Sequence, residues 1–172
     1  MVSIKWCINQ KKGIEIIKSN PNMADSYIKM AEESITALNA VKQSKMWTAV
    51  TAYYIFYQSL YALMLKIGIK CEIHACTIEF MRTFLSAFYN KQDNEAIQKA
   101  FNARQDLQYY ADRPVDPETI KYISKYSKEF YTKTKNIMIR ITETQINTIR
   151  KEIQKSIKNS KMRTRHYIES RP

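Results

Sequence analysis

The sequence predicts an all-α fold: a bundle of four to five helices followed by a basic helical extension at the C-terminus. Three observations predict it. Only two glycines, Gly13 and Gly68, and four prolines occur in 172 residues, too few for the turns a sheet-rich fold needs. Ala, Ile, Lys, Gln, Glu and Met recur throughout. Apolar residues return at spacings of three and four over long stretches. The length suits one domain that can bury a core without metals or crosslinks.

Residues 1–20 carry no clean period. In "SNPNMADSYIKMAEES", Asn22 can cap a helix with Asp25 in its first turn, and Ile28, Ala31, Ile35 and Leu38 make one stripe, so a first helix is expected from Met23 to Val41. A second, Met46 to Ile67, is apolar on most sides. Trp47, Val50, Tyr54, Tyr57, Tyr61 and Met64 form one stripe, and Ala49, Tyr53, Phe56, Leu60, Leu63 and Ile67 another, which marks a central helix. No charge falls between Lys45 and Lys66, but four tyrosines, Gln58, Ser59 and two threonines argue against a membrane span. Gly68 is its natural C-cap.

A third helix is expected from Ala75 to Tyr89, with Ile78, Met81, Leu85 and Phe88 inward. A fourth starts near Asp93, which can cap it, and sets Ile97, Ala100, Phe101, Arg104 and Leu107 toward one side. An arginine beside an apolar stripe either finds a specific partner or reaches for water. "DRPVDPET" breaks the chain. A fifth helix begins near Pro117 and carries Ile120, Ile123, Ser127, Phe130, Thr134, Ile137 and Ile141. At "TETQ" the phase shifts, and Ile146, Ile149, Ile153 and Ile157 form a separate stripe flanked by Arg150, Lys151, Lys155 and Lys158. Residues 1–141 thus read as the bundle, and 142–172 as a basic amphipathic helix with a loose end, "NSKMRTRHYIESRP". That helix covers the bundle, pairs with a second subunit or binds RNA, with packing or pairing the default.

The formal charge is +12, and Lys133 to Pro172 hold six lysines and five arginines against three glutamates. The excess therefore sits mainly in the C-terminal quarter, where it attracts phosphate polymers in a salt-dependent way or simply solvates a helix face. Three cysteines, an odd number, with no secretory signal before them, fit free thiols in the cytoplasm. No Cys/His spacing suggests a metal, since Cys71 and Cys76 have only His74 nearby and His166 lies far off. No glycine-rich phosphate loop, nucleophile elbow or dinucleotide fingerprint is present, and no cofactor is implied.

"WTAVTAYYIFYQSLYALMLKIGIKCEIHACTIEFM" followed by "ARQDLQYYADRPVDPETIKYISKYSKEFY" resembles a HEPN domain (higher eukaryotes and prokaryotes nucleotide-binding domain). The "KWC..QKKGI" start, Lys5 to Ile14, is similar to that of small archaeal and bacterial members. The resemblance spans Lys5 to Met138. It implies an antiparallel up-and-down bundle that forms a homodimer and sets the same helix end from each subunit across a shared cleft. It also implies RNA or nucleotide as ligand and, in many relatives, a nucleotidyltransferase partner in a toxin-antitoxin or defence system. Active members cut RNA without metal, using an arginine, a polar follower and a histidine separated from the arginine by four to six residues. Arg104 and Gln105 match the first two. Positions 109, 110 and 111 hold Tyr109, Tyr110 and Ala111 instead of histidine.

That departure bears on chemistry. Attack by the ribose 2′-hydroxyl needs a group that takes and returns a proton near neutrality, which suits histidine (pKa ~6.5) and not ordinary tyrosine (~10). Arg104 can still stabilise charge on a phosphate. The sequence therefore favours a module that binds nucleotide or RNA through Arg104, Gln105, Gln108, Arg113, Arg150 and Lys151 and cuts weakly or not at all. The alternatives are a ribonuclease in which Tyr109 or Tyr110 replaces the histidine, and a structural helical dimer. His74 is expected to order the turn before the third helix. Asp106 and Asp112 are candidate partners for Arg104 or Arg113. On an ideal helix Tyr109 points about 140° from Arg104 and Gln108 only about 40°, so Arg104 and Tyr109 meet in one chain only if the helix unwinds first.

Overall fold

The computed structural model describes residues 2–110 and 112–169, with the side chains of the last helix described as far as residue 160. The fold is helical, as expected: α1 (Ile4–Asn9), α2 (Pro21–Ala40), α3 (Lys45–Ile67), α4 (His74–Phe84), α5 (Lys91–Tyr109), α6 (Pro117–Arg140) and α7 (Glu143–Glu169). Two short strands, β1 (Glu15–Ile16) and β2 (Ile69–Lys70), pair antiparallel with Glu15 opposite Lys70. No helix among the described residues is long and apolar enough to cross a membrane.

The centre is α3. Its two apolar stripes bury Tyr53, Phe56, Leu60, Leu63 and Met64 completely, and α2, α5 and α6 all pack on it. Phe130 of α6 joins this core through its ring contacts with Phe56 and Tyr89, each 5.0 Å between centroids. The helix starts differ from expectation where a stronger cap lies upstream. Asn20, not Asn22, accepts from the Met23 N–H, and Pro21 fills the first turn. Asn90, not Asp93, caps α5. Asp93 closes a capping box as its third residue and also accepts from Tyr126 and Lys133 of α6. The third long helix is shorter than expected. It stops at Phe84, and Leu85 and Tyr89 are buried from the irregular turn that follows.

The N-terminal segment, which lacks a helical period, is held from outside. Cys7 of α1 forms a disulfide with Cys76 of α4, which corrects the expectation of free thiols; only Cys71 is free, and it is buried. Sixty-nine residues of separation hid this pairing, and the packing of α1 on α4 creates it.

The C-terminal stripe packs inward: Ile146, Ile149 and Ile153 are buried in the same core as α3. α7 runs on to Glu169 over residues that hold no glycine or proline; residues 170–172 lie outside the described residues. Arg150, expected at an RNA-binding face, is committed elsewhere. Its Nη1 donates to the carbonyls of Ile17, Ile67 and Gly68 at 2.8–3.1 Å, plugging the end of α3. Gly68 must be glycine there, because its φ is +83° and a Cβ would lie 2.0 Å from that Nη1.

Arg150→Met should lower unfolding free energy by about 2–3 kcal/mol, since buried carbonyls lose a charged donor. Arg150→Lys should recover only part of this, because the ammonium is a more strongly hydrated charge than the guanidinium and costs more to bring to half-buried carbonyls. Urea unfolding with an unchanged slope would register both.

Candidate functional site

The buried stripe of α5 (Ala96, Ile97, Ala100, Ala103) faces α3 and carries Arg104 with it. Arg104 is only 9% exposed. Its guanidinium lies 5.2 Å from the Tyr53 ring, 5.5 Å from Tyr54 and 5.6 Å from Tyr109. Nη2 donates to the Tyr109 hydroxyl at 3.1 Å, while Nε is buried without a hydrogen-bond partner. No carboxylate among the described residues forms an ion pair with it. The positive charge is thus met by three ring faces and one phenol oxygen, with no carboxylate paired to it among the described residues.

Arg104 and Tyr109 meet within one chain although α5 stays helical through Tyr109, which corrects the expectation that unwinding must come first. The ideal-helix angle describes Cα–Cβ directions, and an arginine and a tyrosine are both long enough to bend around it. Tyr110 caps the helix in extended conformation and stands apart in a second cluster. The Arg113 guanidinium lies 3.7 Å above its ring and also pairs with Asp106 at 3.4 Å. Asp106 therefore answers Arg113 and not Arg104, and Asp112 is exposed. Gln108 and Lys151 are exposed, Gln105 is half-buried beside α4, and Arg150 is withdrawn from the set by its structural role. The side chain of His166 lies outside the described residues.

His74 is closer to Arg104 than its sequence neighbourhood suggested. It opens α4, stacks on Tyr57 at 4.2 Å, and shares a 2.5 Å hydrogen bond between Nδ1 and the Tyr53 hydroxyl. Burial, reinforced by the Arg104 charge, lowers its pKa to about 4, so it is neutral at physiological pH. Burial also holds the Tyr53 hydroxyl well above its ordinary range and raises that of Tyr57, so both stay protonated. Arg104 and His74 are therefore joined through Tyr53. In the sequence Tyr53, Tyr54 and Tyr57 read only as core stripe. Their recurrence every three to four residues on one helix was the available signal, but nothing in it said that an arginine would lie across them.

No family model matches the chain, and no curated protein or solved structure matches it.

The depressed His74 pKa makes stability depend on pH. Between about pH 6.5 and 4 the unfolded chain takes up a proton on this histidine that the folded chain does not. Unfolding free energy should therefore fall as pH falls through that window and stop falling, as far as His74 is concerned, below about 4. His74→Gln should flatten this part of the profile, read as the difference between the two proteins' stability curves from pH 7.5 to 4.

Proposed function

We propose that the protein is a HEPN-type domain, an antiparallel up-and-down bundle acting as a homodimer, that binds RNA or nucleotide through a phosphate at Arg104 and cuts it weakly or not at all. The observation that carries this is the buried guanidinium with an unpartnered Nε, ring faces around it and no acidic partner among the described residues. A cation held without a counter-charge is stabilised by an incoming anion, and a guanidinium fork suits phosphate oxygens. Tyr54 and the exposed ring of Tyr109 stand beside it as stacking surfaces for bases. The resemblance to HEPN domains points the same way. It also supports a role as the binding component of a toxin-antitoxin, defence or nucleotidyltransferase-associated system.

Weak or absent cleavage is supported by the state of the nearby histidine. Its Nδ1 is engaged by Tyr53 and its pKa of about 4 makes it a poor proton acceptor near neutrality. One observation favours the ribonuclease reading instead: Arg104 and Tyr109, two members of the altered motif, are already hydrogen-bonded in one chain.

Binding of single-stranded RNA or nucleotides at low salt should weaken about tenfold or more in Arg104→Ala, less in Arg104→Lys, and little in Tyr109→Phe. Wild-type protein that binds neither ligand at low ionic strength would refute the proposal. Metal-independent cutting of RNA in EDTA, abolished by Arg104→Ala, would shift the assignment to the ribonuclease.

A further inference from the structure

Between α4 and α5 lies a cleft of about 440 Å³, within the size range of small-molecule sites. Three amides, Gln98, Asn102 and Gln105, line it from one face of α5 at positions i, i+4 and i+7. Glu79 and Arg82 of α4 line it as well and pair with one another at 3.0 Å, and Phe101 adds an aromatic surface. The Gln98 side-chain N–H donates to Asn102 Oδ1 at 2.9 Å. Whichever way the two amides are turned, this contact uses one nitrogen and one oxygen and leaves one of each to a ligand.

The cleft is linked to the Arg104 cluster through one ring contact and through chain neighbours. Phe101 lies 5.6 Å from the Tyr53 ring, over which the Arg104 guanidinium sits, and Gln105 follows Arg104 in the chain. Ala75, another lining residue, follows His74 on α4.

We propose that this cleft is a nucleobase subsite, with adenine the preferred base, for the nucleotide or RNA whose phosphate Arg104 holds; it rests on the function proposed above. The charges of Glu79 and Arg82 cancel locally, so the cleft offers no net attraction to phosphate. Its chemistry is that of a base edge: a donor and an acceptor side by side on an amide wall, next to an aromatic face. Side-chain amides pair with a base in this way by making two hydrogen bonds at once, and adenine is their usual partner. Phosphate and base are thereby sorted to two linked places, the first by charge and the second by hydrogen-bond pattern.

The test is calorimetric titration of the full chain with AMP, CMP, GMP, UMP and inorganic pyrophosphate, together with poly(A) and poly(U), for wild type and for the double variant Gln98→Ala, Asn102→Ala. Alanine favours the helix at both positions, and a thermal melt checks that the fold persists. Wild type should prefer AMP to UMP by about tenfold, and the variant by less than about twofold, with pyrophosphate binding unchanged. The homopolymer arm shows whether the base is read in RNA or only in the free nucleotide. A base preference untouched by the double variant overturns the subsite and leaves the Arg104 function standing. So does wild-type binding that depends on Arg104 but treats all four nucleotides alike. If wild type binds none of these ligands, both readings fall. Should the double variant melt early, Gln98→Ala alone decides in the same way, because it removes one half of the paired amides.

Discussion

A helix buried on nearly every side cannot leave its last carbonyls to water, and the way α3 ends governs how the other segments are placed. The four carbonyls of its final turn have no partner within the helix. Each is met from elsewhere. Gly68 N–H bonds back to Met64 and Leu65 in a left-handed cap, Asn20 N–H donates to Leu65, the Ser19 hydroxyl donates to Lys66, and Arg150 donates to Ile67. Three separate stretches of chain therefore converge on one helix end. The residues just before α2 fix where that helix starts, Gly68 turns the chain into β2, and Arg150 fixes the register of α7 against the core. The buried isoleucines supply most of the attraction that seats α7, but greasy residues alone permit sliding, whereas a guanidinium bonded to three carbonyls does not.

From that end the chain runs through β2 to the start of α4, and so to His74, which lies back along α3 against Tyr53 and Tyr57. Ile73 gives α4 no side-chain cap, and a six-residue α1 has little stability of its own. The Cys7–Cys76 disulfide joins these two weak elements across 69 residues, worth about 4 kcal/mol in the chain-entropy model. The antiparallel pairing of Glu15 and Ile16 with β2 secures the intervening chain. His74 stands two residues from Cys76, so the crosslink that steadies α1 also steadies the ring that contacts Tyr53 and Tyr57.

Much of this was legible in the sequence, and the parts that were not share a cause. Helical periodicity located five long segments because burial of a stripe is a local pattern in the chain. The starts of α2 and α5 were misplaced by a few residues because Asn20 and Asn90 compete with Asn22 and Asp93 as caps, and tertiary partners decide among them: Asp93 is drawn to Tyr126 and Lys133 of α6. The short α1, the two-residue strands and the disulfide were not legible at all, since their stabilising contacts are to residues far along the chain. At the site, Arg104 and Tyr109 stood out by their order, but the tyrosines of α3 and the role of His74 did not. An aromatic residue on a buried stripe reads as core whether or not a charge lies across its ring. Arg150 illustrates the reverse: a basic residue among lysines reads as solvated surface, and only the position of the α3 terminus turns it inward.

Arg104 poses the energetic question that the site turns on. Removing a guanidinium from water is costly, and the common remedy is a carboxylate, which would neutralise the site and close it to other anions. Here the compensation is split. Three ring faces and one phenol oxygen stabilise the charge in part, and one buried nitrogen stays unpaired. Such a residue is poorer for stability than a hydrophobic side chain of equal volume, because each cation–π contact offsets only part of the desolvation. It is better for binding, since an arriving phosphate displaces no competing acid. The neutral state of His74 belongs to the same balance: a second positive charge beside Arg104 would be repelled, and burial together with the guanidinium keeps the imidazole unprotonated. An arginine without an acidic partner, backed by a neutral histidine, is the arrangement that the proposed anion site requires, and it leaves no protonated imidazole of the kind that efficient phosphodiester cleavage would need for its leaving group.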